Sequence, residues 1–480
     1  MIIKTNKEEI LPYLEDTSNF KEGSAEKVFI PQDEKEIFEV VEFAVKNKLP
    51  LTISAAGSGT VAGRIPKEGV VISTEKLDKI IDIDIKNKTA VLQSGVVVYN
   101  FLNEIKKFNL FYPPFPTEKG AFIGGNVATN ASGEYSFRFG PTRKYVKRIK
   151  MILTTGDVLE IKRGEIFEKN GWLDYGKFKI KLPSYRTPNV KCSAGYYIKN
   201  GMDAIELLIG SEGTLGIITE VEVFLIEELP ERFLMLMFFD EKKETEIPKV
   251  VSELKTKKDE LAIYCLEFFD KNSLMFIKDE YNFIPKDTVA LYIESEKEKL
   301  ERWLEVVEKY DCKETVLSSS KKEYETLVNL RYKLPETINS YFKTINSTKI
   351  SVDAAVPEGK LEELFKFYKN IMLEHPSINM VIFGHIGEDH LHFNMFPKND
   401  EEKIICEKIY IDCIKKAVSL GGTGFAEHGI GKLKNKYLVI MYGKEAVLEI
   451  AKIKKTFDPH CILNLDNIIK KEYLFNLKNL

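Results

Sequence analysis

Three segments rich in glycine and small polar residues, spaced along the first half of the chain, constrain its fold most. Gly57-Ser58-Gly59-Thr60 follows the strand-like Leu51-Thr52-Ile53-Ser54, so its backbone N–H groups can line up around an anion. A Rossmann nucleotide site requires a helix directly after such a loop, and Val61 to Gly69, with Pro66 inside it, cannot supply a long one. The second segment, Gly124-Gly125-Asn126-Val127-Ala128-Thr129-Asn130-Ala131-Ser132-Gly133, lets backbone approach a ligand while Asn and Thr offer hydrogen bonds. The third, Ile209-Gly210-Ser211-Glu212-Gly213-Thr214-Leu215-Gly216-Ile217-Ile218, joins a helix to a strand. Any one of them is compatible with ordinary turn chemistry; the three in this order are not.

Length and composition narrow the remaining classes. At 480 residues the chain exceeds what one core usually serves, so two or three domains are expected. A net charge of −3 with both signs interspersed argues against a nucleic-acid binder, which needs a basic face. Only nine of the 70 Lys and Arg residues are Arg, so an Arg beside a polar motif carries extra information. The six Cys form no CxxC pair and no ferredoxin spacing, which argues against an iron–sulfur cluster within the chain. The first residues lack the apolar core of a signal peptide, and no apolar run approaches the ~18 residues of a membrane span. A cytoplasmic location is the expectation.

Periodicity predicts a helix over 35–48 with Ile37, Val40, Val41, Phe43 and Ala44 on one side. Strands are predicted at 51–54, 70–73 and 89–93, and a helix over 98–107. Residues 120–143 read as holding little regular structure, and 148–162 as a hairpin turning at Gly156-Asp157. From about Leu229 the texture changes to strands at 233–239, 262–268 and 289–293 alternating with charged helices. That pattern is an α+β sheet domain.

All six His lie after residue 374, a clustering that matters because His is the commonest acid/base and metal ligand near neutral pH. Met380 to Phe396 reads as strand, tight turn, strand. Alternation places His392 and Asn394 on one face and Leu391, Phe393 and Met395 on the other. The hairpin brings His385 near His392, and Glu427-His428 sits between glycines farther on. Two His and one carboxylate with an open position is a catalytic divalent-metal pattern; the alternative is a set of hydrogen-bonded core histidines. His390 is expected to face solvent and His460 to be structural.

With these motifs the chain resembles the vanillyl-alcohol-oxidase superfamily, in its glycolate oxidase, D-lactate dehydrogenase and D-2-hydroxyglutarate dehydrogenase branch, over about residues 25–470. The resemblance implies an α+β fold: a two-subdomain FAD-binding domain (1–228), a substrate or cap domain with an antiparallel sheet (229–424), and a C-terminal segment (425–480) that returns to the FAD domain. It implies FAD contacts from Gly57, Ser58, Gly59, Thr60, Pro116, Thr117, Gly124, Gly125, Thr129, Ser132, Gly133, Glu212, Gly216 and Ile218. An Arg common in the family's first loop is Ala56 here, so the pyrophosphate must be met by backbone N–H groups or another cation. Some relatives tether FAD through an N-terminal His; no His precedes His375 here, so the FAD is expected to be non-covalent.

The same resemblance implies a metal on His385, His392 and Glu427, zinc first with iron or manganese as alternatives. Asn394 then orients substrate, His428 removes the hydroxyl proton, and Arg331, with Lys349 as a weaker second, pairs with the substrate carboxylate. The expected activity is FAD-dependent oxidation of a small D-2-hydroxy acid. Electrons pass to an electron-transferring flavoprotein or an iron–sulfur subunit, with quinone and oxygen as alternatives and a homodimer left open. Two rivals remain: a flavin-using transferase of the alkylglycerone-phosphate synthase type, and a non-catalytic electron-relay subunit. A longer insertion between Gly164 and Tyr196 marks a place where substrate or partner can differ.

Overall fold

A computed structural model describes residues 1–116, 118–344 and 350–475, apart from the side chain of Lys343. Thr117 and Lys349 therefore lie outside the described residues. The fold is α+β, built on three main sheets. The first has four strands in the order Ile2–Lys4, Lys27–Ile30, Val70–Ser73, Leu51–Ser54, the last three parallel and the first antiparallel to its neighbour. Helix Glu34–Asn47 covers it. Asp33 caps its N-terminus by accepting from the Glu36 N–H, and Lys48 closes it in a left-handed conformation. Ile37, Val40, Val41 and Ala44 are buried as the spacing predicts, whereas Phe43 is only partly covered.

The second sheet is antiparallel, ordered Ile80–Asp84, Thr89–Gln93, Ile217–Phe224, Val146–Ile152, Val158–Lys162. Its last two strands are the predicted hairpin, with Ile152 opposite Val158. The third sheet has seven antiparallel strands: Glu314–Leu317, Arg232–Asp240, Thr288–Glu296, Ile263–Phe269, Asn379–Gly384, His390–Phe396 and Ile350–Ala355. The predicted strands at 233–239, 262–268 and 289–293 belong to it. The 24-residue helix Lys321–Thr344 packs its Leu327, Leu330, Leu334 and Ile338 among buried residues of this sheet.

One expectation fails. Residues 120–143 contain helix Ile123–Thr129 and a short helix Ser136–Phe139. Gly, Asn and Thr are poor helix formers, but here burial overrides propensity. Ile123, Gly124, Asn126 and Val127 are buried, and Gly124 packs so tightly that a Cβ on it would lie 2.5 Å from that of Ser94. The chain's end returns to its beginning: the Leu51 N–H donates to the Ile462 carbonyl (2.8 Å) and the Asn464 N–H to that of Leu51 (3.0 Å).

Candidate active site

The three glycine-rich segments converge on one cleft. Gly57, Ser58, Gly59 and Thr60 line it from one side. Pro116, Gly124, Gly125, Thr129 and Ser132 line it with Glu212, Gly216 and Ile218. Gly133 is not on the lining. It sits beneath the preceding turn, where a Cβ would lie 2.0 Å from the Phe115 carbonyl oxygen. The cradle is made of backbone and small side chains; a Cβ built on Gly59 meets nothing within 4 Å and would simply fill the cleft. Such a wall fits a large, flat, polar-edged cofactor. A cation missed in the sequence, Arg64, also lines the cleft, its Nη1 bonded to the Ala55 carbonyl (2.8 Å). It stands beside Gly57, next in sequence to Ala56.

Glu212 is held in the left-handed region (φ 53°) and spends its carboxylate on the C-terminal segment, accepting from the N–H groups of Ile430 and Gly431 (2.7 Å each). Burial raises its carboxyl to about 7 despite those donors. Asn464 and Asn467 finish the lining; both donate to the Glu212 carbonyl (2.8 and 3.1 Å).

Glu427 and His428 lie on the same lining and open onto the imidazole cluster. Its organising residue is Asp353, fully buried on strand Ile350–Ala355. Asp353 Oδ1 bonds to His390 Nε2 (2.7 Å) and lies 3.6 Å from His392 Nδ1. Oδ2 accepts from the backbone N–H groups of Glu427 (3.1 Å) and His428 (3.0 Å) and lies 3.2 Å from His428 Nδ1. Strand register explains the convergence: Asp353 is opposite His392, Ser351 opposite Asn394, and Phe383 opposite His392. Gly384 (φ +119°) ends the preceding strand; a Cβ there would lie 2.8 Å from His392 Cδ2. Only glycine admits the imidazole at that point. The His392 and His428 rings stack at 5.2 Å.

His385 is brought near His392, with ring centroids 5.6 Å apart. Its Nδ1 is 3.2 Å from Glu267 Oε1 and its Nε2 3.2 Å from Glu427 Oε2. Arg331 is buried rather than solvated (6% exposed). It donates from Nη2 (2.8 Å) and Nε (3.1 Å) to Glu267, with Glu134 3.8 Å away. Both amide atoms of Asn394 are buried without a hydrogen-bond partner, as expected of a side chain awaiting a ligand.

The electrostatics follow from burying so many charges together. Burial opposes ionisation of Glu267 and of Glu427, yet both carboxyls stay well below the usual range. Arg331 and His385 hold Glu267 down, and Lys191 and His385 hold Glu427 down. Burial and Lys191 press the His385 imidazole downward, but Glu427 and Glu267 outweigh them and raise it to about 9. His392 is pushed well below its ordinary value by burial and then by the neighbouring His390 and His428.

His390 corrects the sequence reading. It is fully buried, not solvent-facing. The signal was present, since residues 390, 392 and 394 alternate onto one face of a strand. Asp353 and Lys191 were missed. Asp353 is joined to the histidines only by strand pairing across almost 40 residues. Lys191 lies between Gly164 and Tyr196 and reaches Glu388 (2.9 Å) and Glu427 (3.4 Å). Among the described residues, one donor atom each from Asp353, His390, His392 and Glu427 lie within 4.8 Å of one another. His390 Nδ1, His392 Nδ1 and Glu427 Oε2 are buried without a hydrogen-bond partner. Orphaned lone pairs on nitrogen and carboxylate oxygen fit a borderline divalent metal.

Known proteins agree with this architecture. The model of the FAD binding domain matches residues 25–162 and that of the FAD linked oxidases C-terminal domain matches 234–468. The glycolate oxidase subunit GlcD of Bacillus subtilis is 29% identical over 96% of this chain and 93% of its own length. A D-lactate dehydrogenase of Anaerostipes hadrus is 30% identical, covering 91% and 88% respectively. A D-2-hydroxyglutarate dehydrogenase of Stutzerimonas stutzeri is 26% identical, covering 93% and 91%. A solved alkyldihydroxyacetonephosphate synthase superposes with a TM-score of 0.66 at 17% identity over 96% of this chain and 81% of that one, a likeness of fold alone. The cleft and the cluster beside it are those of an FAD-dependent oxidoreductase. The chain belongs to the FAD-linked oxidase family of the vanillyl-alcohol-oxidase superfamily.

Proposed function

We propose that this protein oxidises a small D-2-hydroxy acid, of the lactate or glycolate type, to the 2-oxo acid. The carrying observation is His428, whose imidazole lines the flavin cleft while its Nδ1 faces the buried Asp353 carboxylate at 3.2 Å. That pairing fixes a proton on Nδ1 and leaves Nε2 as the basic atom, the arrangement a positioned general base needs. His428 then takes the substrate's hydroxyl proton. Arg331, pinned by Glu267, pairs with the substrate carboxylate, and the unpartnered amide of Asn394 orients it. Lys349, the second carboxylate partner, lies outside the described residues. FAD, when bound, supplies the acceptor for the hydride leaving C2; a metal held by His385, His392 and Glu427, when bound, lowers the hydroxyl pKa.

The relatives named for glycolate, D-lactate and D-2-hydroxyglutarate support the substrate class. We place the domain boundaries at 228/229 and 424/425 and the protein in the cytoplasm. Among the described residues no helix is long and apolar enough to cross a membrane. The reduced flavin passes its electrons to a protein acceptor, an electron-transferring flavoprotein or an iron–sulfur subunit. The flavin is non-covalent, because no His precedes His375 and the FAD-binding domain has none for a tether, and acid precipitation should release all of the yellow colour. Anaerobic titration with a panel of 2-hydroxy acids tests the reading. Bleaching by glycolate, or by one D-acid and not its L-enantiomer, is expected. A flavin that stays bound and that no hydroxy acid bleaches returns the transferase or relay reading.

A further inference from the structure

His390 and His385 are placed alike around a single oxygen. His390 turns its Nε2 to the Asp353 carboxylate at 2.7 Å, so the proton lies on Nε2 and Nδ1 carries a lone pair. That Nδ1 is buried, has no hydrogen-bond partner, and stands 3.9 Å from Glu427 Oε2. His385 turns its Nδ1 to the Glu267 carboxylate and its Nε2 to the same Glu427 oxygen, 3.2 Å in each case. Each imidazole thus has an outer nitrogen on a buried carboxylate and an inner nitrogen near Glu427, the carboxylate–histidine arrangement that orients metal ligands.

A neutral nitrogen lone pair facing a carboxylate oxygen with nothing between them is unfavourable, and a buried polar group left unsatisfied is costly. Donors bound about 2.1 Å from one ion at tetrahedral or octahedral angles stand roughly 3.0–3.4 Å apart. The His385 separation already fits. The His390 separation closes with a movement of a few tenths of an ångström. Lys191, 3.4 Å from the same oxygen, engages one side of the carboxylate, and a carboxylate oxygen has two lone pairs to give.

We infer that His390, through Nδ1, is a further ligand of the divalent metal, making the site richer in imidazole than the His385, His392 and Glu427 set. This rests on the metal site proposed above. Its consequence is selectivity, because a site dominated by neutral imidazoles suits zinc, iron or cobalt and not magnesium or calcium.

The test uses the purified, FAD-loaded protein. Bound metal per flavin is measured by mass spectrometry, zinc affinity by competition with a chelator, and ligand geometry by the absorption bands of the Co²⁺-loaded form. His390→Asn should weaken zinc by more than the 10–100-fold that loss of an outer carboxylate costs, and should shift the Co²⁺ bands, while FAD content is retained. Asp353→Asn should weaken zinc within that 10–100-fold range. An unchanged affinity and unchanged bands in His390→Asn overturn the inference and put a water at Nδ1, even if Glu427→Gln still loses the metal. Wild-type protein that takes up no metal overturns the inference and the metal site together. Should His390→Asn not fold, X-ray absorption of the wild-type metal counts coordinated imidazoles: three support the inference and two overturn it.

Discussion

The flavin cleft and the imidazole cluster share the loop at Glu427 and His428, yet they solve the problem of binding in opposite ways. The cleft is shaped by what its side chains lack. Gly57, Gly59, Gly124 and Gly125 present backbone, and the Glu212 carboxylate is spent on the N–H groups of Ile430 and Gly431. The cluster is shaped by what its side chains carry: His385, His390, His392, His428, Asp353, Glu267, Glu427, Arg331 and Lys191 exchange charge within a few ångströms. The cleft should therefore be sensitive to volume and indifferent to single charges. The cluster should fail when one charge leaves, because a buried charge that loses its partner is costly.

The largest effect tests the cluster alone. His428→Asn should slow anaerobic flavin reduction by roughly 10²–10⁴-fold, the contribution of a positioned base, with FAD content unchanged. Stopped-flow absorbance measures it; a variant reduced as fast as the parent makes the Glu427-His428 pair structural. Next, Arg331→Met should cost about 2–5 kcal/mol, mostly as weaker substrate binding. A carboxylate pair exists in ground and transition states alike, so the concentration dependence of reduction should separate it from His428. A loss confined to the limiting rate would contradict that role.

The cleft is probed by size. Gly124→Val places a Cβ 2.5 Å from that of Ser94 and 2.8 Å from its carbonyl oxygen. It should destabilise the protein by about 1–3 kcal/mol and release FAD, read by flavin fluorescence during thermal melting. Retention of FAD at full melting temperature would show that the cleft yields to volume, and the contrast would fail. The smallest effect lies at the joint. The Glu212 carboxyl is raised to about 7, above an unfolded value of about 4.3, so the folded protein binds more protons between those limits. Stability should fall as pH rises from about 4 to 7, and Glu212→Gln should flatten that slope in a melting-temperature series. A slope of equal size in the variant assigns it to other carboxyls.

The same contrast separates what could be read in the sequence from what could not. Backbone binding leaves a local signature, because glycine-rich runs of fixed order are visible in one dimension; twelve of the fourteen expected FAD residues line the cleft. The helix at Ile123–Thr129 escaped because its residues disfavour helix and only packing against Ser94 makes it. In the cluster, period-2 alternation placed His392 and Asn394 correctly. Applied consistently, it would have placed His390 beside them. Asp353 had no such signal: its role is set by pairing with a strand almost 40 residues away. Lys191 had none either, because the stretch between Gly164 and Tyr196 has no pattern to be read against. Arg331 was singled out by the family resemblance, with the scarcity of Arg in support, but its burial against Glu267 is a tertiary fact.

The return of the chain to its start has a consequence during synthesis. The lining of the cleft runs from Asp16 to Asn464 and Asn467, whose amides bond to Ile53, Gly63 and Glu212. A chain emerging from the ribosome in order cannot close around its cofactor until residue 467 has been made. Until then Ile462 and Leu463 are also missing from the core around Leu51, Val70 and Ile72. Flavin capture is thereby tied to synthesis through Asn467, and a nascent chain stalled before that point has a cleft that lacks part of its wall.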